Sequence, residues 1–531
     1  MAYTLGVSTG LWGIEKPEEL LGIPRKVGWV FTRGVTHAQI DLDRIVEFQE
    51  PDLKKKMERL RDFGFTYGMH GEALATGGID TLPLASALQT DYWRAHDRIL
   101  THIKGASEIK SQYITIHTSE STPFILLGTQ LQPAALVDPW GRNLKKLLEE
   151  NKDILQWVVT EKEEGDKDFI WEFIRRRPSE LKKIFLENYI NRELRKRRPQ
   201  TDEEAEKLYA ELEKKYEKQA EDDVEKFFLD QISLSEPAYG SEKVAYYIVA
   251  KWMQERGDPL WQNIVGKKFS DDDFKNPQKT ADWVPAVAAK YTWGHFSQDK
   301  VPGTFSKEEY EDPKPLLRKH NITWAFETPM AGQGNEGYIR LAKLSHIYYL
   351  CKAINSPYIS WTLDMEHLLG CNLDPKKEIE ELPAKGGELL KIVHITLPSP
   401  LNPSHQPIPL GSEIQYYIYE RLWDLRRKGF TTGYIIFERG GGQDPVKQTV
   451  QSMRAIKKYL EANTAPKELP LEFFGMEKEG PDLALQEVKI KEHALDPIKG
   501  LLSIPEEEWT FLSRAATEKG KAEEWKKRQL R

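Results

Sequence analysis

Eight short β-rich runs recur along this chain, and their number and spacing restrict its fold more than any other feature. They are Tyr3–Ser8, His37–Asp43, Thr66–Gly71, Gln112–Thr118, Ile322–Thr328, Tyr358–Asp364, Ile392–Leu397 and Tyr434–Glu438. Each is apolar or β-branched and ends in polar residues or Gly, as a strand buried on both faces does. Between most of them lie amphipathic stretches of helical length: Asp43–Phe63, Trp93–Ile109, Tyr338–Ile354, Ser412–Lys428 and Val446–Ala462. A weaker stretch, Pro375–Leu382, is stopped by Pro383 and Gly386-Gly387. Such alternation predicts parallel strands joined by right-handed crossovers. Eight of them predict an α/β fold closed as a (β/α)8, or TIM, barrel rather than an open sheet.

One connection is far too long for a crossover. The pattern stops near Ser121 and resumes near Pro313, a gap of about 190 residues that no single helix requires. Within it, Gly141–Asp230 carries 24 acidic and 21 basic residues, interspersed, which reads as long solvated helices. Seven of the 15 Trp fall between Trp140 and Trp293, which predicts a helical insertion with its own core. The expected organisation is therefore a first half-barrel at 1–122, a helical insertion at 123–313, a second half-barrel at 314–463 and a helical extension at 464–531.

Composition bounds the function. Acids outnumber bases 83 to 76 in 531 residues, which excludes a strongly basic nucleic-acid coat. Cys351 and Cys371 are the only cysteines, too few for a disulfide framework, and fit a reducing cytoplasm. Neither a secretory signal nor a run long enough to span a membrane is expected.

The chemistry-bearing residues fall at strand ends. The third run ends Met69-His70, the fourth Ile116-His117-Thr118 and the fifth Phe326-Glu327-Thr328. The sixth ends Leu363-Asp364 and continues Met365-Glu366-His367; the seventh contains His394 and the eighth ends at Glu438. Six consecutive strands thus each deliver an imidazole or a carboxylate to the face where barrel active sites are built. Three imidazoles and three carboxylates cannot all be buried there without partners. Divalent metal ions satisfy such a mixed N/O set: zinc first, with manganese, iron or cobalt as alternatives. Glu327, central in strand order, is the candidate bridge between two ions.

Two stretches carry a family resemblance. Ala325-Phe326-Glu327-Thr328-Pro329-Met330-Ala331-Gly332-Gln333-Gly334-Asn335-Glu336-Gly337 resembles the glutamate-bearing loop of the endonuclease IV family of AP endonucleases. Leu363-Asp364-Met365-Glu366-His367 resembles its Asp-x-x-His motif, and His70, His117, His394 and Glu438 follow the same order. The resemblance covers roughly 1–120 and 314–462. It implies that His70, His117 and Glu327 hold one zinc, and that Glu327, Asp364, His394 and Glu438 hold a second. It places His367 in a third site, giving two or three ions per chain. The chain departs from the family twice. Ser404-His405-Gln406-Pro407 stands where the family completes its third site with Asp-x-His, so that His405 takes the Asp position and Pro407 the His position. Gly71-Glu72-Ala73-Leu74 lacks the Tyr that the family inserts into DNA. The implied activity is metal-assisted hydrolysis of a phosphodiester, abasic DNA being the family's substrate.

The xylose-isomerase-like sugar isomerases and epimerases are the rival resemblance. They bind one Mn or Co ion through Glu, Asp, His and Glu on strands five to eight, a set that Glu327, Asp364, His394 and Glu438 match. Glu327 and Glu438 would then be the acid/base pair and His367 a ligand of a sugar or sugar phosphate. His70 and His117 separate the two, because one ion does not need them. A third reading is a non-catalytic metal-binding scaffold whose insertion contacts a protein or nucleic acid.

Lesser features complete the expectation. Arg175-Arg176-Arg177 and Arg195-Lys196-Arg197-Arg198 could meet phosphates but read better as solvated helix faces paired with nearby acids. Gly440-Gly441-Gly442 could receive a phosphate or be a plain loop. Glu72, Glu120, Glu366 and Arg439 are candidate pocket-lining residues. His37, His96, His102, His295, His320, His346 and His493 read as surface or packing histidines.

Overall fold

The structure, a computed structural model, describes residues 3–10, 22–71, 74–75, 78–79, 82–118, 135–160, 176–233, 241–298, 311–329, 341–396, 406–439 and 445–476. Eight parallel strands close into a barrel: β1 Tyr3–Ser8, β2 His37–Asp41, β3 Thr66–His70, β4 Tyr113–His117, β5 Thr323–Glu327, β6 Ile359–Asp364, β7 Leu390–Ile395 and β8 Gly433–Phe437. Every strand pairs with its neighbours in chain order, and β8 closes on β1, Tyr3 facing Gly433 and Val7 facing Phe437. The fold is a (β/α)8 barrel. Each predicted strand is found within two residues of its expected ends.

The strand alternation explains the barrel's interior. Outward positions such as Ile40, Ile114, Phe326, Leu363 and Val393 belong to one large apolar cluster beneath the helices. Inward positions fall in layers. Tyr113, Ala325, Ile392, Tyr434 and Ile436 fill the lower barrel, with His37 packed against both the Tyr113 and Tyr434 rings. The fit is tight enough to require glycines: a Cβ on Gly68 would lie 1.9 Å from the Tyr113 ring, and one on Gly6 2.5 Å from Ile436.

The crossover helices are α1 Ile23–Phe31, α2 Leu53–Asp62 and α3 Gln89–Ile109 in the first half. The expected single helix Asp43–Phe63 is instead two pieces, a 3-10 turn at Ile45–Gln49 and then α2. Pro51 lacks an N–H and Asp52 adopts a left-handed φ of 59°, which ends one segment before the next starts.

The long connection is helical, as expected. Its helices are α4 Leu144–Glu150, α5 Lys152–Val159, α6 Pro178–Arg197, α7 Asp202–Ser233, α8 Ser241–Glu255, α9 Pro259–Ile264, α10 Asp271–Lys275 and α11 Pro277–His295. Its apolar interior merges with that of the barrel, where a separate core was expected. Tyr291 donates to the Val137 carbonyl at 2.8 Å, Trp293 to the Ala353 carbonyl at 3.2 Å, and Glu242 accepts the Ala87 N–H at 2.8 Å. Phe296, just after α11, packs edge-on against Phe326 and tilted against Trp324 of β5, each at 5.4 Å.

α12 Pro313–His320 leads into β5, and α13 Leu344–Ile354 follows it. The second half ends with α14 Met365–Gly370, α15 Pro375–Glu381, α16 Glu413–Arg427 and α17 Pro445–Glu461. Beyond α17 two single turns seat Phe473 against Tyr419 and Tyr459; the rest of the expected extension lies outside the described residues. Among the described residues, no helix is long and apolar enough to cross a membrane.

Candidate metal centre

The inward position nearest the C-terminal mouth of each strand is polar throughout: Ser8, Asp41, His70, His117, Glu327, Asp364, His394 and, just past the end of β8, Glu438. These side chains meet across the barrel. His70 Nε2 lies 3.2 Å from Glu327 Oε2, although a strand separates β3 from β5. His394 Nδ1 lies 2.8 Å from Glu327, 3.2 Å from Glu438 and 3.5 Å from Asp364. The His117 ring centroid sits 5.1 Å from that of His70 and 5.2 Å from that of His367.

Two groups of ligand atoms result. His70, His117 and Glu327 each offer one atom within 4.8 Å of the others, as do Glu327, Asp364, His367 and Glu438. Glu327 belongs to both, which is the position expected of a bridge. His367, expected in a third site, comes in with the second group, in the place expected of His394; His394 belongs to neither group and instead faces the three carboxylates through Nδ1. Its reach comes from α14, which starts on Asp364: the Asp364 carboxylate caps the helix by accepting the His367 N–H at 2.8 Å, so the Asp-x-x-His spacing folds the imidazole back over the strand end. His405, Glu72, Glu120 and Gly440-Gly441-Gly442 lie outside the described residues, as do Met330–Gly337 of the family-like loop.

Neutral groups set which ring nitrogen faces the centre. A carbonyl oxygen can only accept, so the nitrogen beside it carries the proton. His70 Nδ1 points at the Gly71 carbonyl, His367 Nδ1 at the Thr328 carbonyl and His394 Nε2 at Gln39 Oε1, each at 3.0 Å. This is the arrangement that orients imidazole ligands in metal sites. Thr115 donates to Glu327 Oε2 at 3.1 Å and fixes that carboxylate. Gln39 and Thr115 escaped the sequence reading. Their signal is phase: both sit two residues before a mouth residue on their strands and so share its inward face.

Electrostatics and satisfaction agree on what the centre needs. Burial alone would lower the His70 imidazole, but its hydrogen bond to Glu327 and that carboxylate's charge raise it to about 9. Burial likewise opposes protonation of His394, yet Glu327 and Glu438 hold it well above the usual imidazole range. Burial would raise the Glu327 carboxyl, but the charges of His394 and His70 keep it well below the carboxylate range. Burial lowers His117 to about 3, leaving it neutral. Protons thus stand where divalent cations would balance the same carboxylates. His117 Nε2, His394 Nδ1, Glu327 Oε1 and Asp364 Oδ2 are buried without a well-oriented hydrogen bond among the described residues. Buried lone pairs aimed at one another fit a shared cation.

The remaining sequence candidates fall elsewhere. Glu366 is buried and accepts from Thr396 at 2.8 Å. Arg439 donates to the Thr9 carbonyl at 2.9 Å and lies over the Trp29 ring at 4.4 Å. The Arg195–Arg198 cluster is partly neutralised: Lys196 pairs with Glu193 at 2.6 Å, and Arg197 reaches Glu211 at 3.9 Å. Arg175 and His493 lie outside the described residues. His37, His96, His102 and His295 are buried packing residues.

No protein-family profile matches the chain, and no curated protein does. Solved structures with a similar chain path include a D-tagatose 3-epimerase-like protein, 12% identical over 87% of this chain and 98% of that one, with a TM-score of 0.40. A 3-keto-D-glucoside 4-epimerase from E. coli is 8% identical over 86% and 99%, at 0.38. A D-psicose 3-epimerase is 9% identical over 94% and 99%, at 0.37. At such scores the function has to be argued from this chain's own site.

Proposed function

We propose that this chain is a divalent-metal-dependent isomerase or epimerase acting on a small hydroxylated carbonyl compound of the sugar class. The observation that carries this reading is the meeting of Glu327, Asp364, His394 and Glu438, one from each of β5 to β8, around a single imidazole nitrogen. Those four would hold the ion, whose contribution is to polarise the carbonyl and hydroxyl oxygens. Glu438, partly exposed, and Glu327, fully buried, face the centre from β8 and β5. One carboxylate would take the proton from the carbon beside the carbonyl and the other return one, which inverts or shifts the centre without net change of atoms. His367 would orient a substrate oxygen. The partly neutralised Arg195–Arg198 cluster gives a DNA backbone little to grip.

One observation favours a second reading. His70, His117 and Glu327 form a ligand group of their own, which suits a two-metal phosphodiesterase of the endonuclease IV kind. Four measurements separate the readings. The protein, loaded in turn with Mn, Co and Zn, is incubated with a ketose panel in heavy water; deuterium entering beside the carbonyl supports the isomerase. Nicking of a duplex bearing one abasic site, with no exchange into any sugar, would replace it. Elemental analysis gives the metal count, and His117→Ala should spare a one-ion isomerase while abolishing a two-ion hydrolase.

A further inference from the structure

The ligands occupy one arc of the barrel mouth, β3 through β8, and leave β1 and β2 free of metal-binding roles. The inward mouth residue on β2 is Asp41. It shares a face with Gln39, whose Oε1 accepts from His394 across the barrel, and with His37 below. It pairs in register with His70, and the charges of His70 and Glu438 both act on it. It belongs to neither ligand group.

Asp41 is held firmly by one end. Its Oδ2 accepts the Gly10 N–H at 2.5 Å, and its own N–H donates to Thr9 Oγ1 at 2.9 Å. Gly10 has a φ of 72°, and a Cβ there would press on Arg439 at 3.2 Å, so the turn that holds the carboxylate suits glycine. The other oxygen, Oδ1, has no well-oriented hydrogen bond among the described residues, on a residue only 5% exposed, although the Ser8 hydroxyl lies near enough to act on the carboxylate. A buried acceptor that is poorly satisfied costs stability. Here the carboxylate is anchored by its other oxygen and stands at the mouth between the strands without ligand candidates, β1 and β2, and His70 of β3.

We propose that Asp41 is a specificity residue: Oδ1 accepts a hydroxyl of the substrate on the β1–β2 side of the mouth, beside His70. The inference rests on the sugar reading above and sharpens it. A carboxylate at that place welcomes a neutral hydroxyl and repels a phosphate, so the substrate is a polyhydroxylated compound without phosphate on that side.

Calorimetric titration of the full-length, Mn-loaded protein with sorbitol and with sorbitol 6-phosphate tests this without requiring turnover. Wild type should bind sorbitol at least about 10-fold more tightly than its phosphate. Asp41→Asn keeps an oxygen for the Gly10 N–H; it should bind Mn normally, weaken sorbitol about 10-fold or more and narrow the preference against the phosphate. If Asp41→Asn binds sorbitol as wild type does, the role of Asp41 is overturned and the sugar reading stands. If wild type prefers the phosphate, the proposal falls even should the variant not fold. If wild type binds neither, the sugar reading falls and takes the proposal with it.

Discussion

At the scale of single residues, the centre depends on groups that hold its ligands as much as on the ligands. Gln39 Oε1 accepts both from His394 Nε2 and from the Tyr113 hydroxyl, at 3.0 and 3.2 Å. Gln39→Leu removes the acceptor that turns His394 Nδ1 toward the three carboxylates. Metal affinity, read by competition with a chromophoric chelator, should fall about 10- to 100-fold with the fold intact; unchanged affinity would mean that packing alone orients the ring. The ligand candidates themselves were legible because six His, Asp or Glu residues close successive strands. Asp41 and Gln39 were not, although His37-Ala38-Gln39-Ile40-Asp41 alternates polar and apolar residues. In a soluble barrel strand the polar phase points inward only where the interior is itself a polar site, and no single strand announces that. His367 was legible as a candidate ligand but not in its place, because a helix of six residues decides where it lands.

Among the elements, α1 shows how a buried charge fixes one piece to another. Lys26 is fully buried, donates to the Asp41 carbonyl at 3.0 Å and pairs with Asp43 and Glu47. Lys26→Met fills the same space but leaves two carboxylates without their cation. Unfolding in urea should show a loss of about 3–5 kcal/mol; a loss under about 1 kcal/mol would mean that water already shares the pair. The helices themselves were predictable where periodicity ran unbroken. α3, α16 and α17 are found within four residues of the expected bounds. α1 was not anticipated, and Asp43–Phe63 was wrongly joined, because its apolar spacing continues through Pro51 while the backbone does not.

For the whole molecule, pH acts through the buried histidine beneath the site. Burial lowers the His37 imidazole from 6.5 to about 3, so the folded protein keeps it neutral where the unfolded chain protonates it. The unfolded state then binds more protons, and stability falls with falling pH. This contribution is complete above pH 6.5 and is lost progressively towards about pH 3. His37→Gln should flatten that part of the stability curve, measured by urea unfolding at successive pH values; an unchanged slope would assign the acid sensitivity to other groups. The barrel was legible at this scale because its signal is repeated eight times. The placement of the insertion was not, since charge-rich helices look alike whether they stand apart or lie against a wall. Phe296 decides the matter physically: it presses on the back of the strand whose front carries Glu327. Phe296→Ala should cost about 3–5 kcal/mol and also weaken metal binding, whereas a loss of stability with metal affinity untouched would make the strand a rigid partition. The helical segment threaded between the two halves of the barrel is thus pressed against its wall, and a single strand's thickness separates the insertion's Phe296 from the carboxylate of Glu327.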